Sequence, residues 1–219
     1  MADLVNILGL CATICAAAVS PTQLIVLLRA EKQHNAMLSP TAYSVNRRTH
    51  HPAQTVSLIS TVLVCVCNTL WCVYGILHGA VWSAVLGVVA IIVQVTVLVV
   101  CIRARVIQWW FLACLGLFLA AVAYAGYLLP AGLLGAMAAS MAVLNYLPAA
   151  VKQYNAARSG VLDKHTVYSR GMGLVMFSAN LLWIAYAVAI RDFWVGLPCV
   201  INVITSVVFI FTHNVAIRK

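Results

Sequence analysis

Charge is the scarcest property of this sequence. Its 219 residues include only four acidic and 13 basic side chains, so 8% of the chain is charged, against about 25% in an ordinary soluble domain. None of these charges lies near the middle of a long apolar segment. Proton-coupled transport, retinal attachment and voltage sensing each need a titratable or charged group at membrane depth. The sequence therefore argues against all three.

Arrangements of catalytic and metal-binding residues are also missing. There is no carboxylate pair, no nucleophile with a neighbouring base and no phosphate-binding loop, so no catalytic residue and no enzyme activity are predicted. The six histidines do not pair with cysteine or carboxylate at ligand spacing, which predicts no metal site and no cofactor. The eight cysteines form no C-x-x-C pair and lie in or beside apolar segments, as small packing residues do.

Long apolar segments make up most of the chain, since 64% of its residues are hydrophobic and its mean hydropathy is +1.03. A membrane-spanning helix needs about 20 mostly apolar residues. Seven segments fit, at residues 4–28, 54–77, 81–102, 107–129, 131–151, 167–190 and 193–214. Membrane strands would be shorter and would alternate apolar with polar residues. The sequence therefore predicts an all-α integral membrane protein with seven transmembrane helices.

The basic residues indicate how the helices cross the membrane. Twelve of the 13 Lys and Arg residues fall beyond the ends of spans one, three, five and seven, and only Arg191 falls on the other side. The positive-inside rule places the basic side in the cytoplasm, so the N terminus is expected outside and the C terminus inside. The positive charge thus reports topology, and no nucleic-acid partner is predicted. The first span starts with Asp3 and lacks the basic start of a signal peptide, so it is expected to be retained.

One motif occurs twice. Asn68-x-x-Trp71-x-x-Tyr74 returns 112 residues later in the second half of the chain, and the same offset places Trp82 on Trp194. The second copy consists of the residues Asn180, Trp183 and Tyr186. Such self-similarity indicates an internal repeat, and repeats in transporters meet at the substrate site.

This repeat predicts an arrangement of three spans, then one span, then three spans. The first three-helix repeat covers residues 1–103, with a polar loop at 30–53, and the second covers 131–219. A linker transmembrane helix at 104–130 restores the orientation, so that the two bundles lie parallel. Pro130 is expected to lead directly into the second repeat. Gly132, Ala136 and Ser140 are expected to form a small-residue stripe for close helix approach.

Uncharged polar and aromatic residues are the candidates for solute binding. Asn68, Trp71 and Tyr74 share a helix face, which the second copy repeats. A flat aromatic surface beside amides and hydroxyls suits a sugar, although belt and packing roles remain open for these residues. The third helices add further polar or small candidates. They are Gly87 and Gln94 in the first repeat and Cys199 and Asn202 in the second.

Proline inside the first helix of each repeat is expected to act as a hinge, because it removes a backbone hydrogen bond. These prolines are Pro21 and Pro148. Together with these prolines, three further features carry a family resemblance: the three-one-three layout, the second copy's Trp183-x-x-Tyr186-Ala187, and the following Arg191-Asp192 and Pro198. On these features the chain resembles the SWEET / PQ-loop (MtN3/saliva) family of sugar transporters.

That resemblance implies an alternating-access uniporter in which each third helix supplies an asparagine to the sugar, with a tryptophan beneath it. The equivalent positions hold Gly87 and Cys199, while Gln94 and Asn202 lie two turns and one turn away. The family's proline early in each second helix corresponds to Ser57 and Ser169. Together with Pro21, Pro148, Tyr74 and Tyr186, these serines are the predicted gate and hinge positions.

The predicted function is passive transport of a small neutral solute, a mono- or disaccharide, by rocking of the two bundles. Two alternatives stay open: a transporter of this fold for an amino acid or vitamin-like solute, and a non-transporting sorting receptor like the KDEL receptor. The expected surroundings are the lipid bilayer of the plasma membrane, and both a monomer and a homo-oligomer stay open.

Overall fold

Seven α-helices form the part of the chain that the structure, a computed structural model, describes: residues 3–18, 28, 58–159 and 170–217. The helices are α1 (Asp3–Ala18), α2 (Leu58–His78), α3 (Val81–Arg103), α4 (Trp110–Leu128), α5 (Ala131–Ser159), α6 (Arg170–Ile190) and α7 (Phe193–Ile217). The predicted all-α fold with three, one and three helices is confirmed.

The helices are those of a membrane protein. Five described stretches are long and apolar enough to cross a bilayer: Thr61–His78, Val81–Arg103, Trp110–Leu128, Gly173–Ile190 and Phe193–Thr212. The stretches Asp3–Ala18 and Ala131–Asn145 are apolar but shorter. The chain is an integral, multi-pass membrane protein.

Among the helix boundaries that differ from the prediction, two have a clear physical reason. Helix α4 starts at Trp110 rather than near residue 107, because a turn follows α3: Arg105 has φ 55°, and the Val106 N–H donates to the Cys101 carbonyl at 2.9 Å. Helix α5 continues to Ser159 rather than ending near residue 151. Lysine, glutamine, alanine and arginine follow residue 151, and all four favour the helix even where the sequence is no longer apolar.

Three connections of only two residues lie at the same end of the bundle, which we name the tight-turn end. They join α2 to α3, α4 to α5 and α6 to α7. Pro130 leads directly into α5 as predicted, since its carbonyl accepts the Leu133 and Leu134 N–H groups, both at 3.0 Å. Leu129 before it is extended, the conformation that proline favours in its predecessor.

Equivalent residues of the two repeats close two of these turns. Gly79 after α2 and Arg191 after α6 are 112 residues apart, and both have positive φ, 74° and 55° respectively. Glycine adopts this left-handed conformation freely, whereas a side chain is strained in it. The second repeat therefore holds an arginine in a conformation that suits glycine.

Arg191→Gly is expected to raise the free energy of unfolding by about 1 kcal/mol, because it relieves the positive φ. Gly79→Ala is the matched reverse change, and it should lower the free energy of unfolding by a similar amount. Thermal unfolding of the purified protein in detergent would measure both. Equal melting temperatures for all three proteins would contradict the argument.

The third helix of each repeat lies between the other two, and glycine makes the contact. In the first repeat α3 packs along α2, and the Trp82 indole of α3 lies against Gly9 of α1. In the second repeat α7 packs along α6 and α5, and the Trp194 indole lies against Gly135 of α5. A Cβ atom at Gly135 would stand 2.7 Å from Trp194 Cδ1, and one at Gly9 would collide with the Trp82 ring. The aligned tryptophans thus have the same place in both repeats.

The predicted small-residue stripe on α5 is wrong. A Cβ atom added at Gly132 would meet nothing within 4 Å, and Ser140 is exposed. The close approach instead uses Gly135 together with Ala138 and Ala139, which are both buried. Because α5 is rich in small residues on several faces, their spacing alone did not select the contact face.

The repeats meet through α2 and α5, while α4 packs mainly on α2. One continuous core cluster contains Leu70 and Tyr74 of α2, Leu134 of α5 and Trp183 and Tyr186 of α6. Helix α4 has only two buried residues, Leu115 and Gly126, and otherwise presents apolar side chains outward. Such a surface suits lipid.

Candidate functional site

The two Asn–Trp–Tyr faces come together in this core, in matching geometry. Trp71 and Tyr74 form an edge-to-face pair with ring centroids 5.7 Å apart, and Trp183 and Tyr186 form one at 5.4 Å. The interplanar angles are 89° and 88°. Trp183, Tyr74 and Tyr186 are buried in the core cluster, and Trp71 packs against it half-buried. The duplicated motif therefore forms a duplicated aromatic pair.

The two motif asparagines bond to their own helices. The Asn68 side-chain amide donates to the Val64 carbonyl and that of Asn180 to the Met176 carbonyl, each at 2.7 Å. Asn180 is buried and Asn68 is half-buried. Such bonds to the preceding turn satisfy part of each amide, and each side-chain oxygen remains an acceptor.

Among the third-helix candidates, Gly87 fits tightly against α2. A Cβ atom there would stand 2.6 Å from the Cys72 sulfur and 2.8 Å from the Asn68 carbonyl oxygen. Glycine thus lets α3 approach the motif backbone. Its equivalent Cys199 is buried, and its thiol donates to the Val195 carbonyl at 3.3 Å.

Further buried polar side chains lie on both third helices, one to two helical turns beyond Gly87 and Cys199 and farther from the tight-turn end. Gln94 of α3 and Asn202 of α7 are each 7% exposed. Ser206, the repeat equivalent of Gln94, donates to the Asn202 backbone carbonyl at 2.7 Å, and Thr205 donates to the same carbonyl at 2.9 Å. The polar candidates Gln94 and Asn202 therefore lie in the interior.

Two buried polar atoms have no hydrogen-bond partner among the described residues: Trp183 Nε1 and Asn202 Oδ1. Trp183 lies seven residues before the end of α6 and Asn202 nine residues after the start of α7, or roughly 10 Å and 13 Å from the tight-turn end at 1.5 Å per residue. The donor and the acceptor therefore lie at similar depth on two packed helices. A buried polar group without a partner is costly, so an unpaired donor and acceptor at one level fit a ligand-binding site.

Cys67 and Asn145 join the site without having been predicted. The Cys67 thiol has the Asn145 amide and the Trp71 indole as side-chain hydrogen-bond partners, and it lies 3.9 Å from the Ala138 carbonyl oxygen of α5. Cys67 was predicted to be a packing residue, and its spacing of four from Trp71 on α2 was the signal that could have identified it. Asn145 has no equivalent signal in the sequence.

The tight-turn end is tied across the two repeats. The Tyr74 hydroxyl of α2 lies 2.9 Å from both carboxylate oxygens of Asp192. Asp192 Oδ1 also accepts the N–H groups of Trp194 at 3.0 Å and Val195 at 3.2 Å, and so caps the N terminus of α7. This tyrosine–carboxylate bond joins the two repeats at the tight-turn end.

The reciprocal contact is different in kind. Ala80, the repeat equivalent of Asp192, begins α3 without any side-chain cap. The Tyr186 hydroxyl instead has the Trp82 backbone as a hydrogen-bond partner. At the start of α3 a tyrosine oxygen from the second repeat is thus the partner of the backbone. At the start of α7 a carboxylate oxygen has that place.

Several predicted gate residues fall outside this picture. Pro21, Ser57 and Ser169 lie outside the described residues, and Pro148 lies within α5. Pro198 lies inside α7, one position before Cys199. The described residues contain no group of three His, Cys, Asp or Glu side chains placed to hold a metal ion.

Comparison with known proteins supports the fold. No family model and no curated protein matches the sequence. A eukaryotic SWEET transporter, solved at 3.7 Å resolution, has a similar structure, with a TM-score of 0.69 over 99% of this chain and 100% of that chain. The two sequences are 14% identical. The chain therefore has a SWEET-like fold.

Proposed function

We propose that this protein is a passive transporter, an alternating-access uniporter, of a small neutral solute of the mono- or disaccharide class. The observation that carries the proposal is the buried, unpaired pair formed by Trp183 Nε1 and Asn202 Oδ1. The aromatic faces of Trp71 and Trp183 supply the apolar surface on which a sugar ring packs. The SWEET-like fold supports the same reading at the level of architecture.

Neutrality of the solute follows from the groups that surround the site. The candidate residues of the described core are aromatic, amide, hydroxyl or thiol side chains, and the acidic Asp192 lies at the tight-turn end. An ionic solute would lose its hydration without gaining a counter-charge, at large cost. A polyhydroxylated solute needs only hydrogen bonds.

Rocking of the two bundles would expose the site alternately to the two sides. The Tyr74–Asp192 and Tyr186–Trp82 contacts hold the tight-turn end together, so this end acts as the closed gate in the state described here. By the positive-inside rule the tight-turn end faces outward, at the plasma membrane, with the C terminus in the cytoplasm. Pro21 and Pro148 would flex to close the opposite end.

Uptake into liposomes tests the proposal. Purified protein should accelerate entry of labelled glucose or sucrose, and Trp71→Ala or Trp183→Ala should each lower the rate at least about tenfold, because an aromatic platform is lost. Trp109→Ala is the matched control, since Trp109 is 74% exposed beside α4. The control should transport normally.

Three outcomes would contradict the proposal. Unchanged uptake in both tryptophan variants would reject the site. Acceleration by an imposed proton gradient would reject the passive mechanism. Competition by amino acids or nucleosides, with none by sugars, would reassign the solute.

A further inference from the structure

The two repeat-related tryptophans are not equivalent. Trp183 is 5% exposed, and its Nε1–H has no hydrogen-bond partner among the described residues. Trp71 is half-buried, and its indole is a hydrogen-bond partner of the Cys67 thiol. The indole N–H is the only polar group of tryptophan and can only donate. One tryptophan thus has its donor occupied by the protein, and the other has its donor free.

Sequence differences between the repeats account for this asymmetry. Cys67 stands four residues before Trp71, one helical turn away, and the equivalent position before Trp183 is Ala179, which has no polar side chain. The contact also involves α5, since Asn145 is a second partner of the Cys67 thiol and the Ala138 carbonyl lies 3.9 Å from it. The thiol that bonds the Trp71 indole is therefore itself held by groups of α5.

The hydrogen-bond acceptor also differs between the repeats, and again the second repeat is the one that holds the unpaired group. Asn202 of α7 holds the unpaired, buried Oδ1, and its equivalent in α3 is Ala90. Side chains in a helix lean toward its N terminus. Helices α6 and α7 are joined by a two-residue turn and run in opposite directions. The Trp183 and Asn202 side chains therefore lean toward a common level.

We propose that two positioning residues, Cys67, which occupies the Trp71 N–H, and Asn145, which holds the Cys67 thiol, leave Trp71 only its ring face to offer the solute, while Trp183 Nε1–H and Asn202 Oδ1 bind one hydroxyl group of the solute. A hydroxyl accepts from the indole and donates to the amide oxygen at once. An ether oxygen could satisfy only the indole, and an ammonium only the amide. This assignment rests on the proposed function and adds which bundle orients the solute.

Tryptophan-to-phenylalanine variants distinguish packing on the ring face from hydrogen bonding by the N–H, because phenylalanine keeps an aromatic ring but has no N–H. With labelled glucose in liposomes, Trp183→Phe should raise KM about tenfold, the effect of losing one buried hydrogen bond, and Asn202→Leu should do the same. Trp71→Phe should change KM less than threefold, because its N–H does not reach the solute. Among singly deoxygenated glucose competitors, one should bind poorly to the wild-type protein yet compete as well as glucose in Trp183→Phe.

The positioning residues have their own readout. Cys67→Val should impair transport by leaving the Trp71 N–H unpaired, and Cys67→Ser should restore it, because a hydroxyl accepts the same bond. In the Cys67→Val background, Trp71→Phe should return KM to within about threefold of the wild-type value, because phenylalanine has no N–H to leave unpaired, whereas the effects of independent residues would add. Additive effects, or failure of serine to rescue, would overturn the positioning role.

Failure of the two proposals can be told apart. If the wild-type protein takes up neither glucose nor sucrose, the proposed function falls, and this assignment falls with it. If the wild-type protein takes up glucose but Trp71→Phe and Trp183→Phe raise KM equally, only the asymmetric assignment is overturned.

Discussion

Gly135→Ala is expected to destabilise the protein, lowering the free energy of unfolding by about 1–3 kcal/mol, the usual cost of overpacking. The added Cβ atom would lie 2.5 Å from Cγ and 2.9 Å from Cβ of Trp194. These atoms are at the root of the side chain, so the indole cannot turn away and α5 must separate from α7. Gly9→Ala should act in the same way through Trp82, and displacing that ring also strains the 3.3 Å bond from Trp82 Nε1 to Asn6 Oδ1. Thermal unfolding in detergent measures both variants.

Gly132→Ala and Gly116→Ala are the matched controls, because a Cβ atom at either site meets nothing within 4 Å. Alanine is the better helix former by about 1 kcal/mol in a helix interior, so these controls should be neutral or slightly stabilised. The sign of the change in unfolding free energy therefore distinguishes a steric clash at the glycine from a gain in helix propensity. A stabilised Gly135→Ala protein would mean that α5 and α7 do not approach each other as closely as described.

Asp192→Ala is expected to cost about 1.5–5 kcal/mol of unfolding free energy, the sum of two losses. The N-cap of α7 is worth roughly 0.5–2 kcal/mol. The Tyr74 hydroxyl, which belongs to a side chain only 4% exposed, is left unpaired at a further cost of about 1–3 kcal/mol. Thermal or chemical unfolding of the purified variant measures the total.

Two milder variants separate the losses. Tyr74→Phe removes only the bond between the repeats, at about 1 kcal/mol, and Asp192→Asn keeps an oxygen for the cap. Both should therefore be more stable than Asp192→Ala. A double-mutant cycle between Tyr74→Phe and Asp192→Ala isolates the pair, and a coupling energy near zero would show that the bond contributes nothing.

The repeat was readable from the sequence because its motif lies within one helix. The spacing of Asn68, Trp71 and Tyr74 is local, so one offset of 112 carried over both the residues and the edge-to-face geometry. The seven helices were readable for a similar reason, since apolar length alone defines a membrane span. What is local in sequence was predicted well.

Contacts between distant helices were not readable in this way. Gly9 and Gly135 are 126 residues apart rather than 112, because the loop after the first helix is longer in the first repeat. Their equivalence was therefore hidden from a search with one offset. Tyr74 and Asp192 are separated by 118 residues, and no spacing rule states which turn lies above which helix. The scarcity of acidic residues was the one hint that Asp192 has a specific partner.

The hydrogen bonds around Cys67 show a further limit. A cysteine in an apolar segment is most often a packing residue, and only its spacing of four from Trp71 distinguishes Cys67 from Cys65 or Cys72. Its role depends on Asn145 from α5, which only the packing of α2 against α5 brings near. Side chains that act across an interface need the interface to be known.

The unequal turns at the tight-turn end make the two halves non-interchangeable. A chain built from two second repeats would contain an aspartate at both turns and a tyrosine to face each of them. A chain built from two first repeats would contain alanine at both, as Ala80 is here, and no carboxylate for either tyrosine. The present chain has an aspartate at one of the two equivalent turns and an alanine at the other. Both tyrosines are nevertheless bonded, because the Tyr186 hydroxyl pairs with the Trp82 backbone where Tyr74 pairs with a carboxylate, so neither half of the chain can replace the other.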